Sequence, residues 1–280
     1  MNISAAINSA ADTLDKAGIT EHRREAASLL AFVLNREPVF LIAHPEYELN
    51  IAESKVFAEA VSRRASREPF QYITGHQEFY GLDFEVGPGV LIPRPETEIL
   101  VENAISILSD YEDPKFFEIG VGSGCISVSI LHNVQKAFAD GVDISNIALS
   151  VAKRNAATHH VEERLKLREA DAFDNLTGKF DLIVSNPPYI PTGDLGSLQS
   201  EVGLFEPHSA LFAGADGLDI VRRIVAGAPQ FLNPKGFLLI EIGFGQSESV
   251  KELYDDSIWE SINYLADQQN ILRVVKARLL

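Results

Sequence analysis

Residues 116–130 read Phe116-Phe117-Glu118-Ile119-Gly120-Val121-Gly122-Ser123-Gly124-Cys125-Ile126-Ser127-Val128-Ser129-Ile130. An apolar run gives way to three alternating glycines, and these to a second, mostly apolar run. The pattern predicts a strand, a tight loop and a helix. Glycines let the backbone turn sharply and let a ligand approach with no Cβ in between. The helix start also offers backbone N–H groups. Downstream of Lys115, candidate strands (Lys115–Ile119, Ala137–Val142, Leu165–Glu169, Phe180–Ser185, Phe237–Ile242) alternate with candidate helices. The helices are Cys125–Asn133, Asn146–His159 with Ser145 as its cap, Ile220–Leu232 and Gln246–Tyr254. This alternation implies an α/β chain with a mostly parallel, doubly wound sheet. Two further strands, Trp259–Leu265 and Ile271–Ala277, flank the polar run Asp267–Asn270.

Upstream the pattern changes. Residues 1–75 read as a small helical domain. Thr20–Asn35 sets Ala26, Leu29, Leu30, Val33 and Leu34 on one stripe with Thr20 as the cap, and Ile51–Ser66 forms another helix. Residues 76–92 alternate aromatic and β-branched residues around Gly81, Gly87 and Gly89, which predicts a β-hairpin connector. Residues 93–280 form the second domain, and Pro95 opens a helix over Glu96–Leu108.

Composition narrows the function. The 280 residues carry a formal charge of −16, of which only −2 falls in residues 1–75. Such a field repels nucleic acid, whose affinity comes largely from neutralised phosphates; no nucleic-acid partner is expected. Cys125 is the one cysteine, so no internal disulfide forms, in keeping with a reducing compartment. The longest clean apolar run is Leu29–Leu34, far below the ~20 residues of a membrane span. The first 18 residues have no basic n-region and carry Asp12 and Asp15, unlike a signal peptide. A cytoplasmic protein with no membrane association is expected.

Three further features sit on the sheet. Asp143 ends the second strand, 19 residues past Gly124, where a carboxylate can accept both hydroxyls of a ribose. The glycine loop alone does not separate a dinucleotide from S-adenosylmethionine. Glu118 before it favours the latter, because a carboxylate repels a pyrophosphate and suits a cationic amino group or sulfonium. Asp171-Ala172-Phe173 follows the third strand, where Asp171 can accept an exocyclic amine. Phe173 reads equally as a ring contact or as core. The fourth strand runs into Asn186-Pro187-Pro188-Tyr189. Proline fixes φ and removes a donor, leaving carbonyl acceptors. Two acceptors, Asn186 Oδ1 and the Pro187 carbonyl, suit a planar NH₂ group, and Tyr189 offers a flat face. Such a loop orients a poorly nucleophilic amide or aryl amine, and positioning is most of the work.

Together GVGSG, Asp143, DAF and NPPY resemble the amino-methyltransferases that use S-adenosylmethionine. LIPRPETE (Leu91–Glu98), EFYGLDF (Glu78–Phe84), NPPYI, FEP (Phe205–Pro207) and AGADGL (Ala213–Leu218) more narrowly resemble the HemK-type glutamine methyltransferases of peptide chain release factors. The resemblance covers nearly the whole chain. It implies a Rossmann-like S-adenosylmethionine methyltransferase sheet with a small N-terminal helical domain and a β-hairpin connector. It also implies methyl transfer to the glutamine amide of a Gly-Gly-Gln loop, with S-adenosylhomocysteine as product and release factors as protein partners. By that pattern Gly120, Val121, Gly122, Ser123, Gly124, Asp143, Asp171 and Ala172 bind the cofactor. Asn186 touches cofactor and substrate, and Asn186, Pro187 and Tyr189 carry the catalytic work. Pro188 completes the glutamine pocket, and Arg94 and Thr97 brace the cofactor site. The alternatives are a ribosomal-protein glutamine methyltransferase and a DNA adenine-N6 methyltransferase. The family's glycine before the last strand is absent from Asp267–Val275.

Other features read as structural. His159-His160 end a helix with no further ligand at metal spacing, so no metal is expected. Cys125 reads as a packing residue. Arg63, Arg64 and Arg67 read as a solvated helix face. Glu96 and Glu98 read as first-turn carboxylates that complement the helix dipole.

Overall fold

A computed structural model describes residues 1–280. The chain divides into two compact units. One is Met1–His76 with Gln199–Phe205; the other is Gln77–Leu198 with Glu206–Leu280. No helix is long and apolar enough to cross a membrane.

The first unit is helical: α1 (Ile3–Lys16), α2 (His22–Leu34), α3 (Pro38–Ala43), α4 (Ile51–Ala65) and α5 (Phe70–Thr74). Its core is Ile3, Leu14, Leu29, Leu30, Phe57 and Val61 with their alanine neighbours. Asn2 caps α1, accepting from the Ala5 N–H at 2.9 Å. Asn50 and Glu53 form a capping box on α4. Thr20 does not cap α2. That helix begins at His22, two residues further on, and Glu21 precedes it with no side-chain cap.

The arginine cluster is not a solvated face. Arg64 is buried and bonds Glu25 and Glu201, the latter at 2.9 Å. Arg67 reaches the same Glu201 at 2.7 Å and the Gly18 carbonyl at 3.0 Å, and Arg63 pairs with Glu68. Glu201 arrives 137 residues after Arg64 in the chain, so nothing local in the sequence marks the pairing. Without Arg64, Glu201 keeps Arg67 and the part-exposed Glu25 loses its partner. Arg64→Ala is therefore expected to cost about 2 kcal/mol, below the full cost of stranding a buried charge, read as a lower urea midpoint at unchanged slope. A cost under about 0.5 kcal/mol would return the cluster to the surface class.

A hairpin follows, of β1 (His76–Phe79), whose residues from Gln77 on belong to the second unit, and β2 (Leu82–Glu85). Its turn residues Tyr80 and Gly81 both have positive φ, 53° and 74°, as a two-residue type I′ turn requires. Glu98 does more than complement a dipole: its carboxylate accepts the Tyr80 N–H at 2.9 Å and ties the turn to α6 (Glu98–Ser109). Pro95–Thr97 form a 3₁₀ turn ahead of that helix.

Then follow β3 (Lys115–Ile119), α7 (Cys125–Asn133), β4 (Phe138–Asp143), α8 (Asn146–Thr158), β5 (Leu165–Glu169) and β6 (Phe180–Ser185). A short α9 (Ser200–Phe205) belongs to the helical unit. It precedes α10 (Asp219–Gly227), β7 (Leu232–Glu241), α11 (Ser247–Lys251), β8 (Trp259–Ala266) and β9 (Leu272–Leu279). The seven-stranded sheet has the order β5-β4-β3-β6-β7-β9-β8, with β9 antiparallel to both neighbours. Successive residues of a strand face opposite ways. Phe116, Leu182 and Val184 accordingly join the core beneath α6 and α7, and Phe117 and Ile183 join the core beneath α10. The helix expected to reach Leu232 stops at Gly227, and Pro229 sits in the 3₁₀ turn beyond it, where a missing N–H does no harm. The last hairpin closes without a glycine. Asn270 takes the left-handed conformation at φ 61°, and Asp267 Oδ1 accepts from Gln269 and Ile271, each at 2.9 Å.

Candidate active site

The parallel strands end around one cleft, at the point between β3 and β6 where the strand order reverses. Open α/β sheets bind ligands at this point. The cleft encloses about 1020 Å³, part of it open to solvent. The loop after β3 contributes Gly120, Val121, Gly122 and Ser123 to the lining. A Cβ on Gly122 would meet no atom within 4 Å, and one on Gly120 only the Asn186 carbonyl at 3.9 Å. The loop therefore leaves open space beside the NPPY segment. Gly124 lies off the lining. A Cβ there would come within 3.1 Å of Ala152, so this glycine lets α7 pack on α8.

The loop amides are largely engaged within the protein. Gly120 and Val121 donate to the Val142 carbonyl, Gly124 to the Val121 carbonyl, and Gly122 to Asp143 Oδ2 at 2.8 Å. What the loop offers is shape more than donors. Gly141, on β4, completes it: a Cβ there would lie 2.7 Å from Val121. Asp143 also accepts the Ser145 N–H at 2.8 Å, and Ser145 caps α8 through the Ala148 N–H at 3.2 Å. Burial holds the Asp143 carboxyl above its ordinary value, opposed by those amide bonds. Each carboxylate oxygen keeps a further lone pair for a ligand.

Glu118 is fully buried and does not line the cleft. Its Oε2 accepts from the Ser127 N–H at 3.0 Å and from the Ser127 hydroxyl. It thus caps α7, whose N-cap Gly124 has no side chain to do so. Its Oε1 has no partner. Burial, first, pushes this carboxyl up to about 8. The folded chain therefore holds a proton that the unfolded chain releases in the ordinary carboxylate range. Glu118 contributes most to stability below that range, and the contribution is lost as pH rises through about 8. Glu118→Gln is expected to flatten this loss in thermal unfolding followed from pH 5 to 9. An unchanged slope would show that Glu118 does not titrate in this window.

Asp171 and Ala172 line the cleft, with Asp171 paired to Arg223 at 3.0 Å. Phe173 turns the other way, stacked on Phe231 at 5.1 Å between ring centroids, over Gly227. It is core. Cys125 is also packed, its thiol pushed up to about 12 by burial and then by Glu118. His159 Nε2 hydrogen-bonds with the Asp83 carbonyl at 2.7 Å, and its ring lies tilted on Phe84 at 5.2 Å.

From β6, Asn186, Pro187 and Pro188 enter the cleft. Asn186 Nδ2 donates to Thr97 Oγ1 at 3.0 Å. Tyr189 is not part of the lining. Its hydroxyl donates to Glu241 at 3.4 Å and its carbonyl accepts from Gln246 Nε2 at 2.9 Å. Gly217 makes that clamp fit, since a Cβ there would fall 2.1 Å from the Tyr189 carbonyl oxygen. Across the cleft, Glu206 is buried and accepts from Arg94 and from the Ile92 N–H at 3.2 Å, which fixes the proline loop. Gly141, Glu241 and Gln246 escape the sequence reading, and Glu206 and Gly217 enter it only as members of FEP and AGADGL without a role, because each acts on a residue distant in the chain.

Comparison with known proteins agrees with this layout. The PrmC N-terminal domain family matches residues 5–75, and the methyltransferase small domain family matches residues 96–197. A release factor glutamine methyltransferase of Geobacter sulfurreducens is 43% identical over 267 residues, covering 95% of this chain and 93% of its own. One of Koribacter versatilis is 39% identical over 280 residues, covering 99% of each. The hMettl16 catalytic domain in complex with MAT2A 3′UTR hairpin 6 aligns with a TM-score of 0.59. It covers 89% of this chain and 91% of that one at 14% identity, a likeness of fold. The sheet is the Rossmann-like methyltransferase fold, whose methyl donor is S-adenosylmethionine. The cleft fits that group: apolar walls from Ile144, Ala172 and Ile220, a carboxylate at Asp143, and a glycine loop with open space beside it. The chain is a methyltransferase and belongs to the release factor glutamine methyltransferase family.

Proposed function

We propose that this chain methylates the side-chain amide nitrogen of the glutamine in the Gly-Gly-Gln motif of peptide chain release factors. The observation that carries the reading is the placement of Asn186. Its NH₂ group is spent on Thr97, so its acceptor oxygen is the end left for a ligand, beside Pro187 and across from Gly120. When bound, S-adenosylmethionine supplies an electrophilic methyl group and leaves as S-adenosylhomocysteine.

Asp143 accepts the ribose hydroxyls, Gly120–Ser123 lie along the cofactor, and Asp171 and Ala172 border the base. Gly124 keeps the loop in shape from behind. Asn186 Oδ1 and the Pro187 carbonyl accept the two N–H groups of the glutamine amide. An amide nitrogen is a poor nucleophile because its lone pair is delocalised. Two acceptors held in place orient it and favour the pyramidal geometry it takes as positive charge develops. No strong base is needed, because the amide proton becomes acidic only once the nitrogen carries the methyl group. Pro188 walls the pocket. Tyr189 anchors the segment through its hydroxyl and carbonyl.

We assign residues 1–75 to gripping the protein substrate, the connector to 76–92 and catalysis to 93–280. A substrate of the translation apparatus places the enzyme in the cytoplasm. The test is methyl transfer from labelled S-adenosylmethionine to release factor, to release factor with its Gly-Gly-Gln glutamine changed to alanine, and to duplex DNA. Label on the intact release factor alone is expected. Label on DNA would move the reading to an adenine methyltransferase, against the charge of −14 outside residues 1–75.

A further inference from the structure

β7 ends at Glu241, and the chain runs through Ile242, Gly243, Phe244, Gly245 and Gln246 into α11. Phe244 is 79% exposed, more than any other aromatic side chain of the protein. A single exposed apolar residue is ordinary on a protein surface. This one sits on a turn built to hold it. The Gln246 N–H donates to the Gly243 carbonyl at 3.2 Å, and Gly245 has φ 79°, as the third residue of a type II turn requires. The Gln246 side chain closes the turn a second time, its Oε1 accepting the Gly243 N–H at 2.8 Å.

The turn is also fixed to the Asn-Pro-Pro-Tyr segment. Gln246 Nε2 donates to the Tyr189 carbonyl at 2.9 Å. A Cβ on Gly243 would fall 3.1 Å from Tyr189 Cδ2, so the backbone of the turn lies against the tyrosine ring. Joining a strand to a helix needs none of these bonds. Their effect is to hold a phenyl group out in water, on a stiff support, beside the segment that carries Asn186 and Pro187. A ring with two side-chain torsions on a fixed backbone loses little entropy when a partner covers it.

We propose that Phe244 is a specificity-determining residue for the protein substrate, the platform on which the peptide planes of the Gly-Gly pair lie as the neighbouring glutamine enters the cleft. The proposal rests on the reading of Asn186 and Pro187 as acceptors for the glutamine amide. With the glutamine there, its flanking chain passes the turn, because Tyr189, two residues past Pro187, is bonded to it. Glycine has no Cβ, so a glycine peptide can lie flat on an aromatic face that any other side chain would hold away. A flipped base would stack on the same ring, but the charge of −14 outside residues 1–75 repels the polyanion that carries it.

The experiment compares Phe244→Ala, Phe244→Tyr and Asn186→Ala in the full chain with saturating S-adenosylmethionine. The substrates are release factor, release factor with the first glycine of Gly-Gly-Gln changed to alanine, and duplex DNA. Phe244→Ala is expected to raise the KM for release factor roughly tenfold, with kcat and the Kd for S-adenosylmethionine within about twofold of wild type. Phe244→Tyr keeps the ring and should hold KM within about twofold. The glycine-to-alanine change should cost less in kcat/KM for Phe244→Ala than for the wild type, because the contact it disturbs is already gone. A merely structural role would lower kcat or the unfolding temperature and show no such coupling. If Phe244→Ala keeps the wild-type KM, or the two changes add without coupling, while Asn186→Ala loses activity, Phe244 does not carry the substrate loop and the reading of Asn186 stands. If Phe244→Ala weakens methylation of DNA instead, the ring stacks a base and the peptide assignment is overturned. If Asn186→Ala turns over normally, the underlying reading fails, and the proposal fails with it.

Discussion

Asn186→Ala is expected to reduce methyl transfer by roughly 10²–10³-fold, the range seen when one preorganised hydrogen-bonding group is removed from a reacting centre. Fold and cofactor affinity should remain close to wild type. The residue ends β6 with its neighbour Ser185 bonded to the Ile119 carbonyl at 2.8 Å, so the backbone stays anchored when the side chain is cut back. Pro187 and Pro188 keep the segment stiff. What is lost is the acceptor that orients the amide nitrogen, and its effect should fall on kcat more than on KM. Asn186→Asp separates orientation from charge: it keeps an acceptor but cannot donate to Thr97 Oγ1. Single-turnover methylation measures both variants. Turnover within about threefold of wild type for Asn186→Ala would remove this residue from the chemistry.

Asp143→Ala is expected to weaken S-adenosylmethionine binding by roughly 10- to 100-fold, the loss of a hydrogen-bonded charge at a binding site. Two effects add. The carboxylate is the acidic group lining the cleft at the end of β4, and it also fixes the Gly122 and Ser145 amides, each at 2.8 Å. The variant therefore loses a ligand contact and loosens the loop. Asp143→Asn keeps an acceptor for one amide and should fall between the two. Calorimetry on the free enzyme reads the affinity directly. An unchanged Kd would show that the ribose lies elsewhere.

Much of this molecule is written in short stretches. Lys115–Ile119, Leu165–Glu169 and Phe180–Ser185 are strands with the bounds their apolar pattern predicts, and Cys125–Asn133 is the predicted helix. Strands buried on both faces, as Lys115–Ile119 and Phe180–Ser185 are, and a glycine-punctuated turn are local signals, and they survive in any tertiary context that buries them. The turn at Tyr80-Gly81 and the cap at Ser145 are local as well. The cleft residues fall in the same class, because a doubly wound sheet brings every strand's carboxyl end to one edge. Gly120, Asp143, Ala172 and Asn186 had to meet once the strands were parallel.

Long-range polar partnerships are of another kind. Arg64 looks like one of three exposed arginines until Glu201 reaches it from 137 residues away. Glu206 and Arg94 are 112 residues apart, and Asn186 and Thr97 are 89 apart. A buried polar group must find a partner, but sequence states only that it needs one. Tyr189 illustrates the difference: its place in the NPPY segment follows from the chain, while the side its ring faces follows from Glu241, which accepts its hydroxyl, and its carbonyl is held by Gln246. The amino-acid order by itself therefore determined the sheet, the glycine loop and the family. Tertiary packing alone decided which buried oxygen answers which donor, because a hydrogen bond needs its two atoms placed to within a few tenths of an ångström, which no spacing along a chain encodes.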